Sequence, residues 1–179
     1  MAVSFTVILC DMLPDLVGAW RRAFAPYPEV EVRRGDLLEV EADAYVSPAN
    51  SYGIMDGGID AALSARFPHV EAHVQAAIAA FGILLPVGQA LVVETGDPDV
   101  PYLICAPTME VPSHVGHTSN AFRAMLALLQ AVEQFNAENE DAIESIAIPG
   151  LCTGIGDMDP EDAASQMKQA YAEWNSHNR

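Results

Sequence analysis

The feature that most constrains this chain is its alternation of short, β-branched apolar runs with amphipathic helical patterns. The stretches 4–9, 29–33, 44–46, 90–94, 102–106 and 146–148 read as strands, the first spelled Ser4-Phe5-Thr6-Val7-Ile8-Leu9. Between them, Leu16, Val17, Trp20 and Phe24 share one helical face, and Val70, Val74, Ala77, Ile78 and Phe81 share another. Phe122, Met125, Leu126, Leu129 and Val132 predict a long helix capped by Ser119 or Asn120. A last helix starts well at Asp159-Pro160-Glu161-Asp162: an acid to cap it, proline at its first position, then acids at the positive end of its dipole. Strands separated by helices in this way predict an α/β sandwich with a largely parallel sheet. No repeat, low-complexity tract or linker interrupts the 179 residues, so one domain over 1–179 is expected.

Charge narrows the partners. The chain carries 8 basic against 25 acidic side chains, a net −17, yet 51% of it is hydrophobic, which supplies a core and excludes a disordered acidic tail. Lys168 is its one lysine, and neither Lys nor Arg occurs between Arg66 and Arg123. Duplex nucleic acid needs clustered cations and is not an expected direct partner. No apolar run approaches the ~20 residues of a membrane span. The opening residues lack the basic start and cleavage site of a secretory signal, so a cytoplasmic setting is expected. Cys10, Cys105 and Cys152 form no CxxC pair and read as reduced thiols, the first two as small core residues and Cys152 as a more exposed loop residue.

Three segments that follow strands carry loop chemistry: Arg34-Gly35-Asp36-Leu37-Leu38, the run from Val46-Ser47-Pro48-Ala49-Asn50 into Met55-Asp56-Gly57-Gly58-Ile59-Asp60, and Pro149-Gly150-Leu151-Cys152-Thr153-Gly154-Ile155-Gly156-Asp157. Ligands of open α/β sheets bind beyond the carboxyl ends of strands, so these loops are expected to border one crevice. Gly57 and Gly58 precede an apolar helical pattern, and Gly150, Gly154 and Gly156 free a second loop, so each segment either presents backbone N–H groups to an anion or simply turns the chain. Asp36 either accepts from an amino group or starts a turn. Asp60 either does chemistry or stabilises a helix dipole. Asn50 either binds ribose hydroxyls or closes an Asx-turn. His69 and His73 lie four apart on one expected helix, but HExxH fails at Val70 and no third ligand is evident, so no metal is expected. The irregular stretch 107–118 reads as a surface loop bordering a pocket.

Together these segments resemble the macro domain, the ADP-ribose-binding module. Gly35-Asp36-Leu37-Leu38 is similar to the family's GDI-type turn, and Asp43-Ala44-Tyr45-Val46-Ser47-Pro48-Ala49-Asn50-Ser51 to its D-A-I-V-N-A-A-N-S segment. Asp56-Gly57-Gly58-Ile59-Asp60-Ala61-Ala62 resembles G-G-G-V-D-x-A, and the segment 148–156 resembles the F-P-x-I-S-T-G-I-Y loop. The order and spacing over 35–158 make the combined match far more specific than its pieces.

The resemblance implies a three-layer α/β/α sandwich with a mixed, largely parallel central sheet. It implies that Asp36 accepts from the adenine amino group, with the Leu37 N–H on a ring nitrogen. The diphosphate would be cradled by Gly57 and Gly58 together with the backbone of Thr153, Gly154, Ile155 and Gly156, with Asp56 and Ile59 beside them as further ligand-binding residues. Asn50 would bind the distal ribose, and Asp60 would position water at that ribose's anomeric carbon, as a carboxylate near its ordinary pKa. No cofactor is required. Ser47, Asp56 and Gly156 depart from the family pattern, where Asn, Gly and an aromatic are usual. Two functions follow: an ADP-ribosyl hydrolase acting on a modified target or small ester, or a reader that binds ADP-ribose without turnover. A blander outcome is an interaction domain with a vestigial pocket.

Overall fold

The computed structural model describes residues 5–140 and 142–178. Its sheet contains β1 (Thr6–Asp11), β2 (Glu31–Arg34), β3 (Ala44–Ser47), β4 (Leu91–Glu94), β5 (Tyr102–Cys105) and β6 (Ser145–Ile148) in the order β2-β1-β6-β3-β5-β4. Neighbouring strands run parallel except β4, which lies antiparallel on the edge against β5. The helices are α1 (Pro14–Ala23), α2 (Gly58–Arg66), α3 (Val70–Phe81), α4 (Asn120–Glu138) and α5 (Pro160–His177). The mixed, largely parallel sheet is as expected.

Alternation along the strands divides the core into two layers. Val7 and Leu9 face α1, α4 and α5 with Trp20, Met125, Leu128 and Met167, whereas Ile8 and Cys10 face α2 and α3 with Leu63, Phe67, Val74 and Ile78. On β6, Ile146 and Ile148 enter the first layer and Ala147 the second. Helices on both faces of the sheet give the three-layer sandwich.

The sequence boundaries hold with local corrections. Ser4, expected in the first strand, lies outside the described residues. The second strand begins at Glu31, because Tyr27 and Val30 donate backbone bonds to Phe24 and Tyr27 and keep the chain turning until then. Ser119 takes the N-cap position of α4 without a side-chain cap bond, while Asp159 caps α5 by accepting from the N–H groups of Glu161 and Asp162 at 2.9 and 3.4 Å. His69 is not on the helical face with His73: it stands before α3 in a left-handed conformation, φ 76°, and His73 Nδ1 lies 2.8 Å from the Glu94 carbonyl. No helix among the described residues is long and apolar enough to cross a membrane.

Candidate functional site: a cleft at the carboxyl ends of the strands

The parallel strands end on one side of the sheet, and the loops that leave β1, β2, β3, β5 and β6 enclose a cleft of about 620 Å³ there. Every expected site residue, from Asp36 and Leu37 through 50 and 56–60 to 153–156, lines it. Segments more than a hundred residues apart are thus brought to one crevice. One further segment was missed in the sequence, and a second was expected only as a bordering loop. Asp11 ends β1 and Met12 and Leu13 follow it, and Thr108, Met109 and Pro112 belong to the irregular stretch after β5. Position after an apolar strand was the available signal for both, but neither carries a glycine motif.

Asp11 ties two walls together. Its Oδ1 accepts from Leu13 N–H at 3.0 Å and its Oδ2 accepts from Gly150 N–H at 3.0 Å, so one carboxylate locks the β1 exit to the glycine loop. Beside it, the turn after β2 is a single 3-10 turn, Leu37–Glu39. Leu37 buries its side chain in the second core layer, which fixes the turn against the sheet. Asp36 is exposed, and its Oδ1 caps the turn by accepting from Leu38 N–H at 2.9 Å. The turn-starting alternative for Asp36 is thus seen, and the residue also lines the cleft.

Asn50 is half-buried and binds its own loop. Its Oδ1 accepts from Tyr52 and Ile54 N–H at 3.0 and 3.3 Å, and Nδ2 donates to the Ile54 carbonyl at 2.8 Å. This is the Asx-turn alternative, and it leaves Nδ2 one further N–H. The stretch after β5 runs alongside, with Thr108 N–H on the Ala49 carbonyl and Ser51 N–H on the Met109 carbonyl. It forms the wall that the sequence reading of 107–118 expected.

The glycine pair opens α2. Gly57 is its N-cap and Gly58 its first residue, held at φ 57° in the left-handed region that side chains resist. A helix start leaves its first N–H groups without partners in the helix, and here they lie at the cleft. One turn in, Asp60 is buried, 8% exposed, and Ser47 Oγ at the end of β3 donates to its Oδ1 at 2.6 Å. Burial pushes the Asp60 carboxyl up to about 6, opposed by the Ser47 hydrogen bond and reinforced by the nearby charge of Asp56. The expectation of an ordinary carboxylate is corrected: burial in the cleft wall holds the Asp60 carboxyl well above its ordinary value, at about 6. The Ser47 departure from the family pattern also gains a physical role, because it is the side chain that steadies the ionised acid.

Across the cleft, the glycine loop closes on itself. Met158 N–H bonds the Cys152 carbonyl at 2.9 Å, Asp157 N–H bonds the Gly154 carbonyl at 3.1 Å, and Val115 N–H bonds the Gly156 carbonyl at 2.9 Å. Gly156 is wedged where an added Cβ would lie 2.7 Å from the Cys152 carbonyl oxygen, so no larger residue fits in this arrangement. Cys152 adopts φ 66° and is buried, not exposed as its loop position suggested, and burial drives its thiol up to about 12. It is a packing residue. Gly154 and Ile155 are left at the surface of the cleft.

Ser47→Ala tests the Ser47–Asp60 pair. Removing the donor that favours the ionised acid raises the Asp60 pKa beyond about 6, so any activity that needs the carboxylate falls by about twofold at neutral pH and its acid limb moves to higher pH. A pH–rate profile unchanged from that of the wild type would rule the role out.

Comparison with known proteins places this geometry in a family. The family model for the macro domain matches residues 46–167. An uncharacterized protein of Aeropyrum pernix is 35% identical over 142 residues, covering 78% of this chain and 68% of its own. The DNA ADP-ribosyl glycohydrolase of Mycobacterium tuberculosis is 28% identical over 141 residues, which cover 76% of this chain but 37% of that larger protein. The macrodomain of Mycobacterium tuberculosis DarG superposes with a TM-score of 0.66 at 26% identity, covering 79% of this chain and 88% of that one. With the strand-end cleft, the glycine-opened helix and the closed glycine loop in place, the chain belongs to the macro domain family, whose members bind ADP-ribose and in some cases hydrolyse ADP-ribosyl linkages.

Proposed function

We propose that this protein binds ADP-ribose in the cleft and hydrolyses an ADP-ribosyl linkage, removing mono-ADP-ribose from a modified target or small ester. The observation that carries the proposal is Asp60: a buried carboxylate in the cleft wall, aligned by Ser47 and raised to about 6. A site that only holds a ligand gains nothing from a base there, since a buried acid costs stability. In this assignment Asp36 and the Leu37 N–H receive adenine, the backbone of 56–59 and 153–156 receives the diphosphate, and the free N–H of Asn50 Nδ2 meets the distal ribose. Asp60 takes a proton from a water whose oxygen bonds the anomeric carbon. The bond from that carbon to the acceptor breaks, and the acceptor leaves with the proton that Asp60 took up, passed on directly or through solvent, which restores the carboxylate. One relative's name, DNA ADP-ribosyl glycohydrolase, supports the reaction class. The chain acts as one macro unit, and its three free, buried cysteines suit a reducing cytoplasm.

A non-catalytic reader is the second reading. It is favoured by the Asn50 amide, most of whose hydrogen bonds are taken by its own loop.

Calorimetric titration with ADP-ribose, AMP and ribose 5-phosphate, followed by turnover of an acyl ester of ADP-ribose, separates these readings. One-to-one binding of ADP-ribose in preference to its fragments, with release of ADP-ribose from the ester, is the expected result. Binding without release leaves the reader, and no binding by folded protein refutes both. Within the same titration, Asp36→Ala weakens ADP-ribose by about 1–2 kcal/mol and leaves ribose 5-phosphate unchanged, because only the former carries adenine. Equal weakening of both ligands would refute the adenine assignment.

A further inference from the structure

We infer that the site takes ADP-ribosyl groups carried on a polypeptide acceptor with apolar or basic side chains beside the modified residue, and disfavours ADP-ribose carried on an oligonucleotide. The inference rests on the proposed ADP-ribose pocket and names its substrate class. It starts from what lines the cleft: the carboxylates of Asp11, Asp36, Asp56 and Asp60, and, among the described residues, no Lys, Arg or His.

Several basic side chains are engaged elsewhere. Arg33 binds Glu31, Arg66 leaves the far end of α2 to bind Asp97, and His114 Nδ1 lies 3.9 Å from Asp157. Arg34 ends β2, on the side of the cleft assigned to adenine. A diphosphate inside such a cleft is held at short range by backbone N–H groups, which need no side-chain charge. Phosphates of an attached strand lie outside that reach. They meet Asp56, exposed at the mouth and close enough to Asp60 to raise its pKa, and then the field of a chain whose net charge is −17. Binding of a nucleic-acid strand depends on neutralising its phosphates with Lys and Arg, and this mouth offers none.

The mouth does offer apolar surface from three different loops. Ile54, 47% exposed, and Ile155, 63% exposed, line the cleft after β3 and β6, and Val111, 52% exposed, adjoins the lining residue Pro112 after β5. Apolar side chains flanking a modified residue would cover them, and basic flanks would find Asp56.

The test titrates the full chain with four ligands: free ADP-ribose, a mono-ADP-ribosylated peptide with basic and apolar flanks, the same peptide with acidic flanks, and a single-stranded oligonucleotide bearing one ADP-ribose. At about 50 mM salt the oligonucleotide is expected to bind about tenfold more weakly than free ADP-ribose, with the gap closing to about threefold near 500 mM. The basic peptide binds at least as tightly as free ADP-ribose, and the acidic peptide falls between. Val111→Ser, which removes apolar surface without adding charge, weakens the basic-apolar peptide and leaves free ADP-ribose unchanged. An oligonucleotide bound as tightly as free ADP-ribose, or a gap that salt does not move, overturns the inference and leaves the pocket assignment standing. Failure to bind free ADP-ribose overturns both.

Discussion

Asp60→Asn is expected to lower turnover by about 10²- to 10⁴-fold while ADP-ribose affinity stays within a few fold, the range seen when a positioned general base is lost. The amide is nearly the same shape and still accepts from Ser47, so the pocket keeps its form while the proton acceptor disappears. Single-turnover assays with an ADP-ribosyl ester, beside calorimetry, separate the two effects. A variant that turns over like the wild type would show that the acid is structural. The wild-type pH profile should agree: kcat/KM falls as pH drops below about 6, where the free enzyme's Asp60 takes up its proton.

The same substitution carries a stability signature of opposite sign. Asp60 ordinarily titrates near 3.8 and is raised to about 6 in the fold. Between those values the folded chain binds more protons than the unfolded one, so stability that is fully present below the lower value is lost as pH rises through the upper one. The raised pKa corresponds to roughly 3 kcal/mol of destabilisation at neutral pH, little screened because the group is buried. Asp60→Asn removes the charge, so the variant is expected to be more stable than the wild type by about 1–2 kcal/mol at pH 7, with the advantage shrinking toward pH 4. Urea unfolding at both pH values measures it. Greater stability with lost turnover is what a residue kept for chemistry predicts, whereas a purely structural acid would lose stability.

Gly156→Ala is the second large effect. Its Cβ would lie 2.7 Å from the Cys152 carbonyl oxygen and 2.9 Å from Val115 Cγ2, both closer than real contacts allow. The Cys152 carbonyl is already bonded by Met158 N–H, and the Gly156 carbonyl receives Val115 N–H, so the loop relieves the clash only by opening. Overpacking of this kind costs about 1–3 kcal/mol of stability. It also moves the N–H groups assigned to the diphosphate, and ADP-ribose affinity should fall by about 30-fold. Gly154→Ala is the control, since its Cβ meets nothing within 4 Å and affinity should stay within about threefold. Similar losses in the two variants would mean that the loop acts through its flexibility and not its shape. The clash also accounts for the absence of the family's aromatic at this position, because this loop folds too tightly around Gly156 to admit one.

Much of the architecture was legible because the relevant signals are local. Strand alternation at 7–10 and 146–148 and helical periodicity at 121–132 decide which face each element buries, and the Asp159-Pro160 start is complete within four residues. The turn at 35–38 and the glycine segments were legible for the same reason, since backbone freedom and capping are written in neighbouring residues. What the tertiary structure decided depends on groups that meet only after packing. Ser47 and Asp60 pair because the end of β3 lies beside the first turn of α2, and the raised pKa of Asp60 comes from desolvation by that packing, which no local pattern encodes. Asp11 reaches Gly150 only because β1 and β6 are neighbours in the sheet, although 139 residues separate them in the chain. The sequence by itself determined the elements, the loops and the residue types offered to the cleft. Which of those residues are buried, charged or already bonded was determined by the sheet order, because burial and electrostatic environment belong to the assembled layers and not to any one segment.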